Sequence, residues 1–508
     1  MGQYMKQHLY LMRLALLLVC TASLLCGCFQ RTSRQPDYFV HMKGVDPETG
    51  LSPSWDYEGG SFTIGLPNPD YQASCDDIWV EEDAARSGDP IYDSVIKRKN
   101  DMADKYGVTL AGVYSQGDQS ENHFVSNSVN AGDGLFDAVM VSGKAAYILS
   151  CQGYFRDMYS NEYIDLSRGE IWDQNFVQSM TLNGHLYYLL GEISCSDNRA
   201  THAIVFNKNI LDKYDFLPDA ETFYDMARNG EWTLDKMLYY TEMLRADTDG
   251  DGSYTSNDLC GLQYSTDAIL AFLQGCGVNI AQRNDRAEYG IQYNGFSAKL
   301  DEIWVRIMQT QNHYFARNRT VDFQYEPVVS SIEQTMEEDR VLFYECTVGE
   351  IEQMRRYDIE FGILPIPKYD EQQKNYICAA YEYSTMFLSV PISNLDDENT
   401  GNILTALAWE GKNTLTPAFY DVTLKGKVVK DVESREMLDI IFSSKSYDLG
   451  VFADWSGCSN WIRRGFNEYV FQMSALYERF GSKAKRLIAQ QMTTDAYLPL
   501  ESEEGGTG

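Results

Sequence analysis

The hydrophobic period changes repeatedly along this chain, and each change marks an element. SFTIGLP at 61 to 67 alternates, is β-branched and stops at a proline, which predicts a strand. VIKRKNDMADKYGVTLAGVYS at 95 to 115 predicts a helix, a turn at Gly107 and a second strand. LFDAVMVSG at 135 to 143 is apolar almost throughout, as a strand covered on both faces is. HLYYLLGEIS at 185 to 194 and the opening of ATHAIVFNKNILDKYDF at 200 to 216 predict two more strands, the second running into a helix. EWTLDKMLYYTEMLRA at 231 to 246 predicts a helix with Thr233 as N-cap, Asp235 in the first turn, and Leu234, Met237, Leu238 and Leu244 along one face. RVLFYE, IEFGILPIP and YSTMFLSVPIS read as strands and DVESREMLDIIFSSKS as a helix, with no repeat of solenoid or propeller period. Strands alternating with helices predict an α/β fold of open sheets, in which ligands sit beyond the carboxyl ends of the strands.

The first 27 residues break this pattern. Lys6 and Arg13 precede the run LALLLVCTASLLCGC, the layout of an export signal and too short to span a membrane. The run ends in Leu25-Cys26-Gly27-Cys28, which resembles the bacterial lipobox, so Cys28 is expected to be lipidated and to become the N-terminus. Residues 28 to 59 hold Pro36, Pro47, Pro53 and Gly59 with no apolar period, and read as a tether. No later run approaches spanning length, which places the remainder on the extracytoplasmic face of the cell membrane, held by its lipid. A net charge of -32 over 508 residues excludes nucleic acid and anionic lipid surfaces as partners. Of eleven cysteines, eight lie beyond Cys28 with no CxxC pair, too sparse for a disulfide scaffold. Cys260 and Cys276 either pair across a short loop or are buried thiols.

The most specific short motif is DTDGDGSYTSND, residues 247 to 258. Counted from Asp247, carboxylates fall at positions 1, 3, 5 and 12, and Gly252 holds position 6, the spacing of an EF-hand calcium loop. Asp247, Asp249, Asp251 and Asp258, with the Ser253 carbonyl, are the expected ligands. Aspartate at position 12 is shorter than the usual glutamate, which points to modest affinity. The exit, LCGLQYS, reads as a strand and no second loop exists, so the expected role is structural rather than sensory.

The order of these pieces resembles the extracellular solute-binding lipoproteins of carbohydrate ABC importers, of the maltodextrin-binding type. The likeness runs from about 60 to 465 through SFTIGLP, AGDGLFDAVMVSG, Trp172-Asp173, NGHLYYL, AIVFNKNIL, EWTLDKMLYYTEML, the acidic loop, DRVLFYE, FGILPIPKYD and YSTMFLSVPIS. It implies a periplasmic-binding-protein-like fold of two α/β lobes with a hinge and an interlobe cleft. One lobe is expected at 60–203 plus 379–430, the other at 204–378 plus 431–508. It further implies a monomer that binds a carbohydrate, most simply an oligosaccharide, and delivers it to an ABC permease without breaking a bond.

The residues themselves support a binding role. The histidines at 41, 123, 185, 202 and 313 make no HExxH, and there is no GxSxG, GxxxxGK[ST] or GxGxxG. A glycosidase carboxylate pair, distant in sequence, keeps a surface glycan hydrolase as the alternative, beside the binding component of a sensor system. Sugars offer C–H faces to aromatic rings and hydroxyls to carboxylates. Tyr188 and Glu192 in YLLGEIS, Tyr381 and Tyr383 in AAYEYS, and Trp455 in ADWSG lie near strand ends or crossovers and are the candidate ligand contacts. By the resemblance, Trp455 is the residue expected to stack on the sugar.

Overall fold

The computed structural model describes residues 45–70, 75–295, 297–322, 328–354, 356–420, 431–468 and 473–497. Cys28, the signal and most of the tether lie outside them. Two sheets organise the rest. In the first, β1 (Ser61–Leu66) lies between β2 (Thr109–Tyr114) and β3 (Ala138–Ser142), parallel to both, with Ser61 opposite Thr109 and Ile64 opposite Ala138. Parallel neighbours require crossovers, and the Pro90–Tyr106 helix supplies the first. Asp89 caps it by accepting from the Ile91 and Tyr92 amides, and Gly107, at φ 63°, ends it in the left-handed region that glycine enters at no cost.

The second sheet is built from β4 (His202–Asn207), β5 (Arg245–Ala246), β6 (Leu259–Tyr264), the hairpin-free edge β9 (Ala316–Asn318), β10 (Val341–Thr347) and β11 (Phe361–Leu364). Its order is β11-β4-β10-β6-β5, with β9 also on β6. β6, β9 and β10 run parallel while β4 runs against β10, so the start of β4 and the ends of the other three share one edge. Gly261 in β6 is required: a Cβ there would lie 2.0 Å from the Thr241 carbonyl oxygen, where the Leu234–Thr241 helix ends against the strand. Between these strands, β7 (Ala281–Arg283) and β8 (Ile291–Tyr293) form a hairpin.

Two cores follow from the two sheets. Phe62, Ile64, Val139, Val141, Phe387 and Leu388 sit in the first, and Ile204, Phe206, Leu262, Phe343 and Ile363 in the second. The chain crosses between them near 194–202, 378–386 and 444–449. β12 (Cys378–Ala379) pairs in parallel with β14 (Lys445–Ser446), and the Tyr381 amide donates to the Ala200 carbonyl at 3.0 Å, so the three crossings lie side by side as a hinge. β13 (Met386–Ser389) then joins the first sheet antiparallel to β3. Beneath the hinge, half-buried Lys445 pairs with Asp197 and, at 3.1 Å, with Asp173, and these two acids hold its ammonium above the ordinary lysine range against desolvation.

Four expectations need adjustment. Residues 45–59 are not a free tether: Leu51 is buried in the first core, Arg168 donates to the Glu48 and Thr49 carbonyls, and the Tyr57 amide donates to the Tyr106 carbonyl at 2.8 Å. The helix expected over 231–246 spans Leu234–Thr241, because the chain turns at Glu242 and Arg245–Ala246 pair with β6. The segment 185–194 is buried but makes only single bridges, such as Leu189 with Leu388, instead of a strand. The C-terminal stretch 431–508 does not stay in one lobe. Met437, Ile441, Ile462 and Phe466 belong to the second core, whereas Leu449, Phe452, Trp455, Ala484, Ile488 and Tyr497 belong to the first. Besides the hinge crossing at 444–449, the chain changes core twice more in this stretch, between Trp455 and Ile462 and between Phe466 and Ala484. All eight cysteines among the described residues are free, so Cys260 and Cys276 are buried thiols.

Candidate functional site

A polar cluster forms where the carboxyl ends of strands from both sheets meet the hinge. Lys144 stands two residues beyond β3, in the first turn of the Gly143–Cys151 helix. Its ammonium donates to the Tyr383 hydroxyl at 2.9 Å and to Asp454 Oδ2 at 2.8 Å. Burial works against that charge, but Asp454 and Tyr383 raise the ammonium above its ordinary value. Asp454 lies in a turn in which Asp454, Ser456 and Gly457 all have positive φ. Its other oxygen accepts from the Ser459 amide at 2.9 Å and hydroxyl at 2.7 Å, and these bonds hold the left-handed turn in place.

From the second lobe, Asp267 follows the end of β6 and pairs with Arg463 of the Cys458–Asn467 helix. Arg463 also donates to Glu382 of the hinge at 2.7 Å, so a guanidinium with little access to solvent is held charged by acids from two elements. Tyr381 and Tyr383 flank Glu382 with ring centroids 5.5 Å apart, and the Lys144 and Arg463 charges lie 5.0 and 5.6 Å from the Tyr383 ring. Tyr383 is 39% exposed and is the aromatic face this cluster offers to solvent.

Behind Tyr381, whose ring meets His202 edge-on at 5.9 Å, lies a second, fully buried layer. Glu345 of β10 accepts from the Ser265 amide and hydroxyl, each at 2.9 Å, and sits 2.6 Å from His202 Nδ1. Burial disfavours both charges, yet the pair overrides it: Glu345 raises the His202 imidazole above its ordinary value, and His202 and Arg319 hold the Glu345 carboxyl below its own.

The structure therefore brings Tyr381 and Tyr383 together, and it places the other three candidates elsewhere. Tyr188 is packed between Phe176 and Phe387 in the first core. Glu192 accepts a hydrogen bond from Thr416 of the Asp397–Pro417 helix. Trp455 is adjacent to Asp454 in sequence, but its indole turns inward, 2% exposed, edge-on to Tyr147 and hydrogen-bonded to Gln491. An indole with no open face cannot stack on a sugar in this arrangement. Lys144, Asp267, Glu382, Asp454 and Arg463 were not foreseen. The available signal was position: Lys144 follows the Ser-Gly that ends an apolar run, and Asp267 follows the strand LCGLQYS.

In the acidic loop, carboxylate oxygens of Asp247, Asp249 and Asp258 lie within 4.8 Å of one another. Asp251 instead accepts from the Ser253 amide at 2.6 Å. Asp258, buried at the base, accepts from the Thr248 and Thr255 amides, both at 2.7 Å, and these bonds outweigh desolvation and lower its carboxyl. The loop leads into β6, a strand, as the sequence indicates.

No protein-family model matches the sequence, and no curated protein matches it. Solved structures do match. A cyclo/maltodextrin-binding protein complexed with maltotetraose aligns over 87% of this chain and 100% of its own, with a TM-score of 0.55 at 12% identity. An ABC substrate-binding protein from Listeria monocytogenes in complex with cycloalternan aligns over 85% and 98%, with a TM-score of 0.53 at 10% identity. The maltose-binding protein MalE of the same organism, in complex with maltose, aligns over 85% and 99%, with a TM-score of 0.51 at 14% identity. This chain thus has the two-lobe α/β fold of the ABC solute-binding proteins.

Proposed function

We propose that this protein is a lipid-anchored, extracytoplasmic solute-binding protein that captures an oligosaccharide between its lobes and delivers it to an ABC permease. The observation that carries this reading is the cluster at the strand ends. Tyr383 offers an aromatic face, while Lys144, Asp454, Glu382 and Arg463 offer paired charges that hydroxyls can join without leaving a buried charge alone. The neighbours of similar fold were solved with maltotetraose, cycloalternan and maltose. The stacking role first given to Trp455 passes to Tyr383. Because the hinge segment carries Tyr381, Glu382 and Tyr383, a ligand held there touches both lobes and favours the closed arrangement by its differential contacts. No step of this cycle breaks a bond.

Calorimetry with a panel of neutral oligosaccharides, followed by a reducing-end assay on each binder, tests the reading. Binding without product supports it; steady product release would make the protein a glycan hydrolase. Two further assignments belong to it. Cys28 carries the anchor, so a Cys28→Ala strain should incorporate no labelled lipid into the protein. The loop headed by Asp247 binds calcium as a structural ion, through the oxygens of Asp247, Asp249 and Asp258 that lie together.

A further inference from the structure

A cavity of about 1000 Å³ lies along a different side of the hinge and shares no lining residue with the cluster above. Its walls come from both lobes. Asn175 and Gln178 belong to the Gln174–Met180 helix, whose Phe176 is in the first core, and Lys368 and Tyr376 belong to a loop packed on the second. The floor is β14, where the Asn175 amide donates to the Lys445 carbonyl at 3.3 Å. This volume is that of a small-molecule site, and its lining is mainly amides, hydroxyls and cations.

The charges in it are unequal. Arg228 is neutralised by Glu221, Asp225 and Glu436, and Lys445 by Asp173 and Asp197. Lys368 is different: it is 2% exposed, and its ammonium donates at 2.8 Å to the Gln373 carbonyl, with no ion pair among the described residues. Lys374, also in the lining, has none either, and Glu371 is the one acid on the wall. A buried ammonium with one carbonyl acceptor and the Tyr376 ring 5.3 Å away, but no counter-charge, is an electrostatic debt, and in a chain of net charge -32 such a site runs against the general field. Burial pulls the Lys368 ammonium below the ordinary lysine range, with Asp370 and Glu371 opposing it from outside ion-pair reach.

We propose that this cavity is a second ligand site, for a small polyhydroxylated anion such as a carboxylated or phosphorylated monosaccharide. Lys368 and Lys374 take the oxyanion, and Asn175 and Gln178 across the hinge take hydroxyls. A ligand spanning Lys368 and Asn175 fixes the spacing of the lobes on this side, so it acts on the hinge and not on the cluster at the strand ends. The assignment does not rest on the oligosaccharide reading, since its test needs no ligand at the other site.

The test is calorimetric titration of the purified full chain with D-glucuronate and with glucose 6-phosphate, with D-glucose as the neutral control. We expect at least one anion to bind, glucose to bind at least about tenfold more weakly, and Lys368→Met to weaken the anion about tenfold or more through loss of one charge-assisted bond. Which anion binds separates a carboxylate from a phosphate ligand. Lys374→Ala, on an exposed residue whose loss leaves the fold alone, should weaken it by a smaller factor. No heat with either anion, equal binding of glucose, or anion binding unchanged in both lysine variants would overturn the site.

Discussion

Substituting Glu345 by glutamine probes the buried layer beneath the cluster without changing its volume. In the wild type one oxygen faces His202 at 2.6 Å and the other accepts two bonds from Ser265. Glutamine keeps one acceptor. If it serves Ser265, its NH2 faces His202, which then accepts and stays neutral, so the charge-assisted bond is lost while no polar atom is stranded. The cost is about 1.5–3 kcal/mol. Its pH dependence is the sharper signature. The His202 value is raised from 6.5, so its contribution is complete below that ordinary value and is lost as pH rises through the raised one. The Glu345 value is lowered from 4.5, so its contribution is complete above that value and is lost as pH falls through the lowered one. The pair therefore contributes fully between those two ordinary values and fades at alkaline pH. Urea unfolding followed by circular dichroism should show Glu345→Gln less stable by about 2 kcal/mol near pH 5.5, with a smaller deficit at alkaline pH, above the raised His202 value. An equal deficit at both pH values would refute a charged pair.

Three further outcomes are expected. Trp455→Ala should cost about 3–5 kcal/mol in stability, because it empties a core position against Tyr147 and Gln491; full stability with lost sugar binding would return Trp455 to the cleft. Tyr383→Ala should weaken oligosaccharide binding about tenfold or more while changing the unfolding midpoint little, as calorimetry paired with thermal melting will show. Chelation should lower the melting temperature of the wild type, and Asp258→Ala should lower it further even in chelator, since that carboxylate also holds the Thr248 and Thr255 amides; a melting curve indifferent to calcium would make the loop an acidic turn.

The fold was legible because its signals are local. SFTIGLP, DAVMVS and HAIVFN are short apolar runs stopped by Pro, Gly or a cap, and each became a strand of the expected kind. HLYYLLGEIS failed because a continuous apolar run says buried without saying paired, and its backbone bonds go to single bridges. At the site, Tyr381 and Tyr383 were reachable because they lie beside a crossover. Trp455 was not, since the direction of a side chain at a turn depends on dihedrals such as the 44° φ of Asp454, which composition does not encode. The ion pairs Lys144–Asp454 and Arg463–Asp267 join residues far apart in sequence and become visible only when both sheets are in place.

The first core draws on Leu51 at one end of the described chain and on Tyr497 at the other, with β13 and the Met473–Met492 helix between. Its assembly is consequently non-local: β1, β2 and β3 can pair early, but the edge supplied by β13 and the cover supplied by the late helix arrive only after the second sheet's strands have been made. Loop-closure entropy over such spans must be met before these contacts form, so the lobe that begins folding first should finish last. A chain shortened before Ala484 would then hold a complete second sheet beside an unfinished first lobe, and would be the species most prone to aggregate.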